Sequence, residues 1–87
     1  MALVWIPAQL RDLTQGRETA PVAAATLGQL VEELERSFPG IRARLCVGET
    51  LRPGFAVVVD GEVARRGWLH PLGPESEVHF LPAIGGG

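Results

Sequence analysis

The sequence predicts an α+β domain in which one amphipathic helix lies across one face of a small sheet. Three observations carry that expectation. Leu27, Leu30, Val31, Leu34 and Phe38 fall on one face at helical spacing, the mark of a single apolar stripe. Phe55 to Val59 is a dense run of strand-forming residues followed by Asp60-Gly61, a strong two-residue hairpin signal. Glu77 to Leu81 alternates, with Val78 and Phe80 on one side and His79 and Leu81 on the other, as in a strand covered on one face.

The elements follow in chain order. Leu3 to Ile6 has a strand composition, with Val4, Trp5 and Ile6. Arg11-Asp12 and Gln15-Gly16-Arg17 mark a turn. Glu18 to Ala24 forms a second strand, and Pro21, which cannot donate to a ladder, makes it short or places it at an edge. Thr26 followed by Gln29 fits a capping box at the helix start, with Ala25 placed to meet Leu30 as a weak staple. Gly28 in the first turn is a mild defect, worth up to about 1 kcal/mol against alanine. Glu32, Glu33 and Glu35 lie off the apolar stripe and form a solvated face. Pro39-Gly40 ends the helix. Ile41 to Pro53 reads as a connection, interrupted by Gly48 and Pro53-Gly54. Phe55 to Val59 reads as a buried strand that turns at Asp60-Gly61 into Glu62-Val63-Ala64. Gly67, Pro71, Gly73 and Pro74 break the next stretch into loops before the final strand. The order is β-β-α-β-β-β.

Composition narrows the function. With 87 residues the chain suits one domain and not two. No apolar run approaches the roughly 18–20 residues of a membrane span. The opening MALVWIPAQLRDL has no basic region ahead of its apolar stretch, which argues against a signal peptide and for a cytoplasmic location. A net charge of −2, with Arg65-Arg66 as the one adjacent basic pair, argues against nucleic acid as the partner. The single cysteine, Cys46, excludes an internal disulfide and a cysteine metal cluster. All eight basic residues are arginine, a bias that a GC-rich genome produces.

Little looks reactive. His70 sits in a Leu-His-Pro loop and His79 on a strand face, and no spacing ties either to Cys46 as a nucleophile–base pair. Cys46 reads as a small apolar residue. Glu75 and Glu77, at a loop-to-strand junction, serve either a basic partner surface or solubility. A phosphate-binding glycine loop needs a helix after it, and nothing follows the glycines here.

Those glycines are the unusual feature. The final strand runs into Leu81-Pro82-Ala83-Ile84-Gly85-Gly86-Gly87. One reading is a frayed end without function. The other is a carboxylate that must enter a narrow channel in another protein, which only a tail without side chains would fill. The six residues from Pro82 to Gly87 reach about 20 Å when extended.

In order along nearly the whole chain, a set of short motifs resembles the MoaD/ThiS family of sulfur carrier proteins, which are ubiquitin-like. The motifs are Ile6-Pro7 with Leu10-Arg11 and Thr14 to Gly16; Ala25-Thr26-Leu27-Gly28 entering Leu30-Val31-Glu32-Glu33-Leu34; and Phe38-Pro39-Gly40-Ile41 with Arg44-Leu45. They continue with Phe55 to Val59 before Asp60-Gly61-Glu62, then Glu77-Val78, and close on Leu81-Pro82-Ala83-Ile84 and Gly86-Gly87. Gly85 replaces an alanine or threonine expected there and leaves the diglycine in register.

The resemblance implies a β-grasp fold, a mixed sheet of four to five strands packed on one main helix. Residues 1–82 would form the domain and 83–87 a flexible tail. It implies a carrier and not an enzyme, although one family branch is the small subunit of molybdopterin synthase. Gly87 would be adenylated by an E1-like activating enzyme that uses ATP, then converted to a thiocarboxylate, with Ile84, Gly85 and Gly86 as the tail. No bound cofactor or metal is implied. Sulfur acceptors in the family include the molybdopterin synthase large subunit and a cysteine synthase; the Leu-Pro-Ala ending is similar to these two branches. If Val78 and Phe80 face the helix, Leu81 faces outward beside the tail, so Leu81 and Pro82 are expected at the partner contact, with Trp68 either extending the patch or lying at the core edge, Arg65 and Arg66 as further candidates, and Arg11 as an ionic contact or, more simply, a solvated turn residue. Two other classes remain open: a protein modifier joined through Gly87 to lysines of other proteins, and a non-covalent interaction domain.

Overall fold

The computed structural model describes residues 1–47, 50–51, 55–64 and 67–82. Strands β1 (Ala2–Trp5) and β2 (Thr19–Val22) pair antiparallel, Ala2 with Val22 and Trp5 with Thr19. The loop between them is held by its own polar groups. Arg11 donates from Nε to the Ile6 carbonyl at 3.3 Å, and the buried Thr14 hydroxyl donates to the Arg17 carbonyl at 3.0 Å. Arg11 is therefore a loop staple, also facing Glu18 at 3.7 Å.

Helix α1 (Leu27–Ser37) buries Leu27, Leu30, Val31 and Leu34, the stripe the spacing predicts. Thr26 Oγ1 accepts the Gln29 amide at 3.2 Å. Gln29 Oε1 accepts the Ala25 amide at 2.9 Å, one residue earlier than an ordinary capping box. Ala25, expected to meet Leu30 as a staple, is exposed, whereas its neighbour Ala24 packs on the core.

The stretch expected as a plain connection is not one. Helix α2 (Ile41–Leu45) follows α1 after a corner, and strands β3 (Cys46–Val47) and β4 (Thr50–Leu51) pair antiparallel after it. Ile41 and Leu45, four apart, are both buried and anchor α2. Its start is capped from outside: the Glu35 carboxylate accepts the Gly40 amide at 3.0 Å and the Arg42 amide at 2.9 Å. These two bonds, the Gly40 amide first, hold Glu35 below the usual carboxylate range. Glu35 is thus a structural cap, whereas Glu32 and Glu33 do stay near the surface, in ion pairs with Arg42 at 3.2 Å and Arg36 at 3.7 Å.

Strands β5 (Phe55–Val59), β6 (Glu62–Val63) and β7 (Glu77–Pro82) complete a five-stranded sheet of order β2-β1-β7-β5-β6. β7 runs parallel to β1 and antiparallel to β5, so the sheet is mixed. Asp60 and Gly61 turn β5 into β6 with φ of 51° and 86°, left-handed conformations that Asp tolerates and Gly prefers. Pro21 lies on the outer strand, where its missing donor does no harm. Val57 and Val59 are buried but Val58 is not, because the helices cover one face only; β5 is half-covered and not fully buried. Against α1 the sheet presents Val4, Val57, Val59, Val78 and Phe80. This is the β-grasp arrangement.

Candidate functional site: the end of β7 and the open sheet face

Alternation along β7 fixes the site. Val78 and Phe80 are fully buried against the helix layer. Leu81 therefore points to the other face and is 45% exposed. In the antiparallel ladder Leu81 pairs with Ala56 and Pro82 with Phe55. Pro82 is thus the last residue of the strand and lies within the ladder, opposite Phe55, which packs on the core.

The open face near Leu81 carries further large side chains that the sequence reading did not single out. Register places Thr19, Trp5, His79, Val58 and Val63 in one row across all five strands. Trp5 and His79 stack with ring centroids 5.1 Å apart and planes within 7°. Trp5 remains 39% exposed and Val63 54% exposed. Trp5 was absent from the expected contact set, although its place between the inward-facing Val4 and Ile6 marks it as outward by the strand period.

Trp68 does not join this face. Its 3-10 turn, Gly67–Leu69, packs against α1. The loop is pinned there by the Leu27 amide donating to the His70 carbonyl at 3.0 Å and the Leu72 amide donating to the Ala25 carbonyl at 2.9 Å. A Cβ on Gly28 would lie 3.2 Å from Trp68 Cβ and 3.3 Å from its carbonyl oxygen, so Gly28 is where the turn's backbone meets the helix. Trp68 sits half-buried at the edge of the core on the helix side, away from the outward-facing Leu81. Leu81 lies at the end of β7 on the open face, and Trp68 lies apart from it on the helix side. Arg65, Arg66 and the tail residues Ile84, Gly85, Gly86 and Gly87 lie outside the described residues.

At the other end of β7, Asp60 locks the β5–β6 turn to the start of the strand. Its carboxylate accepts the Glu77 amide and the Ser76 hydroxyl, both at 2.9 Å. Ser76 Oγ in turn accepts the Gly73 amide at 2.8 Å. The Glu77 amide first, then Ser76, holds Asp60 below the usual carboxylate range. No helix among the described residues is long and apolar enough to cross a membrane.

The sheet order, the single main helix and the outward-facing Leu81 before a glycine run define a ubiquitin-like carrier or modifier fold. The ThiS family matches residues 4–87, and the chain belongs to that family. A chain of the crystal structure of the Amycolatopsis orientalis BexX/CysO complex superposes with a TM-score of 0.91 at 30% identity, over the whole of both chains. The crystal structure of Mycobacterium tuberculosis CysO, described as an antigen, gives 0.91 at 28% identity, covering 97% of this chain and 100% of that one. The solution structure of the small archaeal modifier protein 1 from Methanosarcina acetivorans gives 0.80 at 20% identity, covering 99% of this chain and 95% of that one; that likeness concerns the fold alone. No curated protein sequence matches the chain.

Proposed function

We propose that this protein is a sulfur carrier whose Gly87 carboxyl is activated by a partner enzyme and converted to a thiocarboxylate. The observation that carries the reading is the ThiS family match running through Gly87, on a fold whose last strand ends at Pro82. A carboxylate resists nucleophilic attack because of its charge. In the proposed cycle it attacks the α-phosphate of ATP on an E1-like enzyme, expelling pyrophosphate and forming an acyl-adenylate. The terminal sulfur of a persulfide attacks the carbonyl carbon, and AMP leaves with the bonding electrons. A thiol then reduces the acyl disulfide and frees the thiocarboxylate. The carrier supplies no general acid or base to these steps; it presents the tail and docks.

Docking is assigned to the outward side of β7, with Leu81 and Pro82 beside the tail and the Trp5–His79 row behind them. The solved BexX/CysO complex supports a reading in which this fold works in complex with a partner protein. The sulfur acceptor belongs to molybdopterin or cysteine biosynthesis, in the cytoplasm.

Intact-mass measurement of the protein purified from its native host tests the reading. A species heavier by the exchange of one oxygen for sulfur, mapped to Gly87 and absent after deletion of Gly86-Gly87, supports it. A Gly-Gly remnant on lysines of other proteins, without any thiocarboxylate, would make the chain a modifier instead. Co-purification with a synthase subunit or with a cysteine-synthase-like enzyme separates the two acceptor branches.

A further inference from the structure

We propose that the open sheet face recognises a partner protein through arginine: a guanidinium seats against Trp5 and Glu77 while apolar side chains of the same partner cover Leu81. The inference rests on the reading that this face docks, and deepens it by naming the chemistry the partner presents.

The face changes character along β7. Val4 and Val78 are fully buried against the helix layer, so Leu3, Trp5, Glu77 and His79 share the open side. Leu81, level with Ala56, makes one end of that side apolar. At the other end stands Glu77, level with Leu3 and exposed. Among the described residues Glu77 has no ion pair, whereas Asp12, Glu18, Glu32 and Glu33 are each taken by an arginine. Glu62 and Glu75 lie at the same end as Glu77, since Glu62 pairs with Val59 and Val59 with Val78. They too have no ion pair among the described residues. The described arginines lie elsewhere, on the β1–β2 loop, α1 and α2. Because β1 runs parallel to β7, the β1–β2 loop leaves the sheet at the Pro82 end. One margin of the open face is therefore acidic and unneutralised by its own neighbours, which favours a cationic partner surface.

A carboxylate alone would take any cation; Trp5 makes the choice. Trp5 stands one strand across from Glu77 and two residues further along. At a strand spacing of ~4.8 Å and a rise of ~3.3 Å per residue their Cα atoms are about 8 Å apart, a diagonal that long side chains bridge. The Trp5 ring is stacked on His79, centroids 5.1 Å apart, yet stays 39% exposed, so it is held in place before a partner arrives. A guanidinium is planar and weakly hydrated, stacks on aromatic rings and binds a carboxylate through two parallel hydrogen bonds; an ammonium has neither the plane nor the fork. With arginine at the Glu77 end and apolar contact at Leu81, the partner fits one way round.

The test titrates the isotope-labelled 87-residue chain with N-acetyl-arginine amide near neutral pH and at low salt, followed by NMR. N-acetyl-lysine amide and N-acetyl-norleucine amide serve as comparisons. Arginine amide should shift the Trp5 indole N–H and the Glu77 and His79 amides saturably, and leave the Trp68 indole where it is. Glu77→Gln keeps the backbone amide that donates to Asp60 and should weaken arginine binding about two- to fivefold. Trp5→Leu should abolish the preference for arginine over lysine. Lysine amide binding as tightly as arginine amide would overturn the inference. So would shifts spread equally over Glu32, Glu33 and Glu77, binding unchanged in Glu77→Gln, or no shift at all. The readout uses neither an activating enzyme nor Gly86-Gly87, so a failure of sulfur loading is a separate result.

Discussion

Gly28→Ala sets two effects of known sign against each other. Gly28 lies in the first turn of α1, where alanine would gain up to about 1 kcal/mol from helix propensity. The new methyl would meet Trp68, with its Cβ at 3.2 Å and its carbonyl oxygen at 3.3 Å. Carbon pairs are most favourable at about 3.5–4.0 Å, so the 3-10 turn must move by a few tenths of an ångström. That turn is tethered on its C-terminal side by the Leu27 to His70 and Leu72 to Ala25 bonds, and its backbone, unlike a flexible side-chain tip, cannot rotate aside. Overpacking of this kind costs about 1–3 kcal/mol. The cost wins or cancels the gain, and Gly28→Ala should fall between neutral and about 2 kcal/mol less stable. Urea denaturation followed by far-UV circular dichroism measures this, with exposed Ser37→Ala, which has a smaller propensity gain at the helix end and meets no such obstacle, as the control. On a domain this small 1 kcal/mol moves Tm by about 4–8 °C. A Gly28→Ala protein more stable by the full 1 kcal/mol would refute the close approach of Trp68.

Three further outcomes are expected. In β7, Phe80→Ala should cost about 3–5 kcal/mol, while the neighbouring Leu81→Ala should cost about 1 kcal/mol or less yet weaken binding of the activating enzyme several-fold; denaturation and titration calorimetry separate the two effects. Asp60 has a lowered folded-state pKa, so its contribution is complete above about pH 4 and is lost as pH falls through the lower folded value; Asp60→Asn, which tolerates the same turn conformation, should be less stable than wild type at neutral pH and converge with it in acid. Glu35→Gln removes the charge that caps α2, and faster hydrogen exchange at the Gly40 and Arg42 amides, confined to that corner, is the expected readout, with the same acid-side loss in wild type because the Glu35 pKa is also lowered.

How much of this was legible in the sequence depends on whether the cause was local. The α1 stripe, the Thr26 cap, the Asp60-Gly61 turn and the β7 alternation each follow from residues within a few positions of one another, and all stand in the structure. The α2 helix was hidden because five residues are too few to show a period, and its cap comes from Glu35 on another helix. The side of Trp68 was open for the opposite reason: an aromatic residue in a loop carries no facing signal, and the close approach at Gly28 is what places it at the core edge. Leu81 was assigned correctly as outward because a strand's period is two, and the same rule points to Trp5. Its stacking on His79 depends on the parallel β1–β7 register, which no short-range pattern encodes. The glycine run and the family motifs carry the functional reading, and the fold supplies the surface beside it.

The placing of β7 between β1 and β5 has a consequence for biosynthesis. The strand made after all the others is the centre of the sheet, so the hairpins before it share no ladder until it arrives. Such long-range closure is slow to form. Until residues 77–82 have been added, the two halves of the sheet have no seam to join them. Folding of the sheet as one unit therefore waits on its last strand, and the open face it completes comes into being in a single late step.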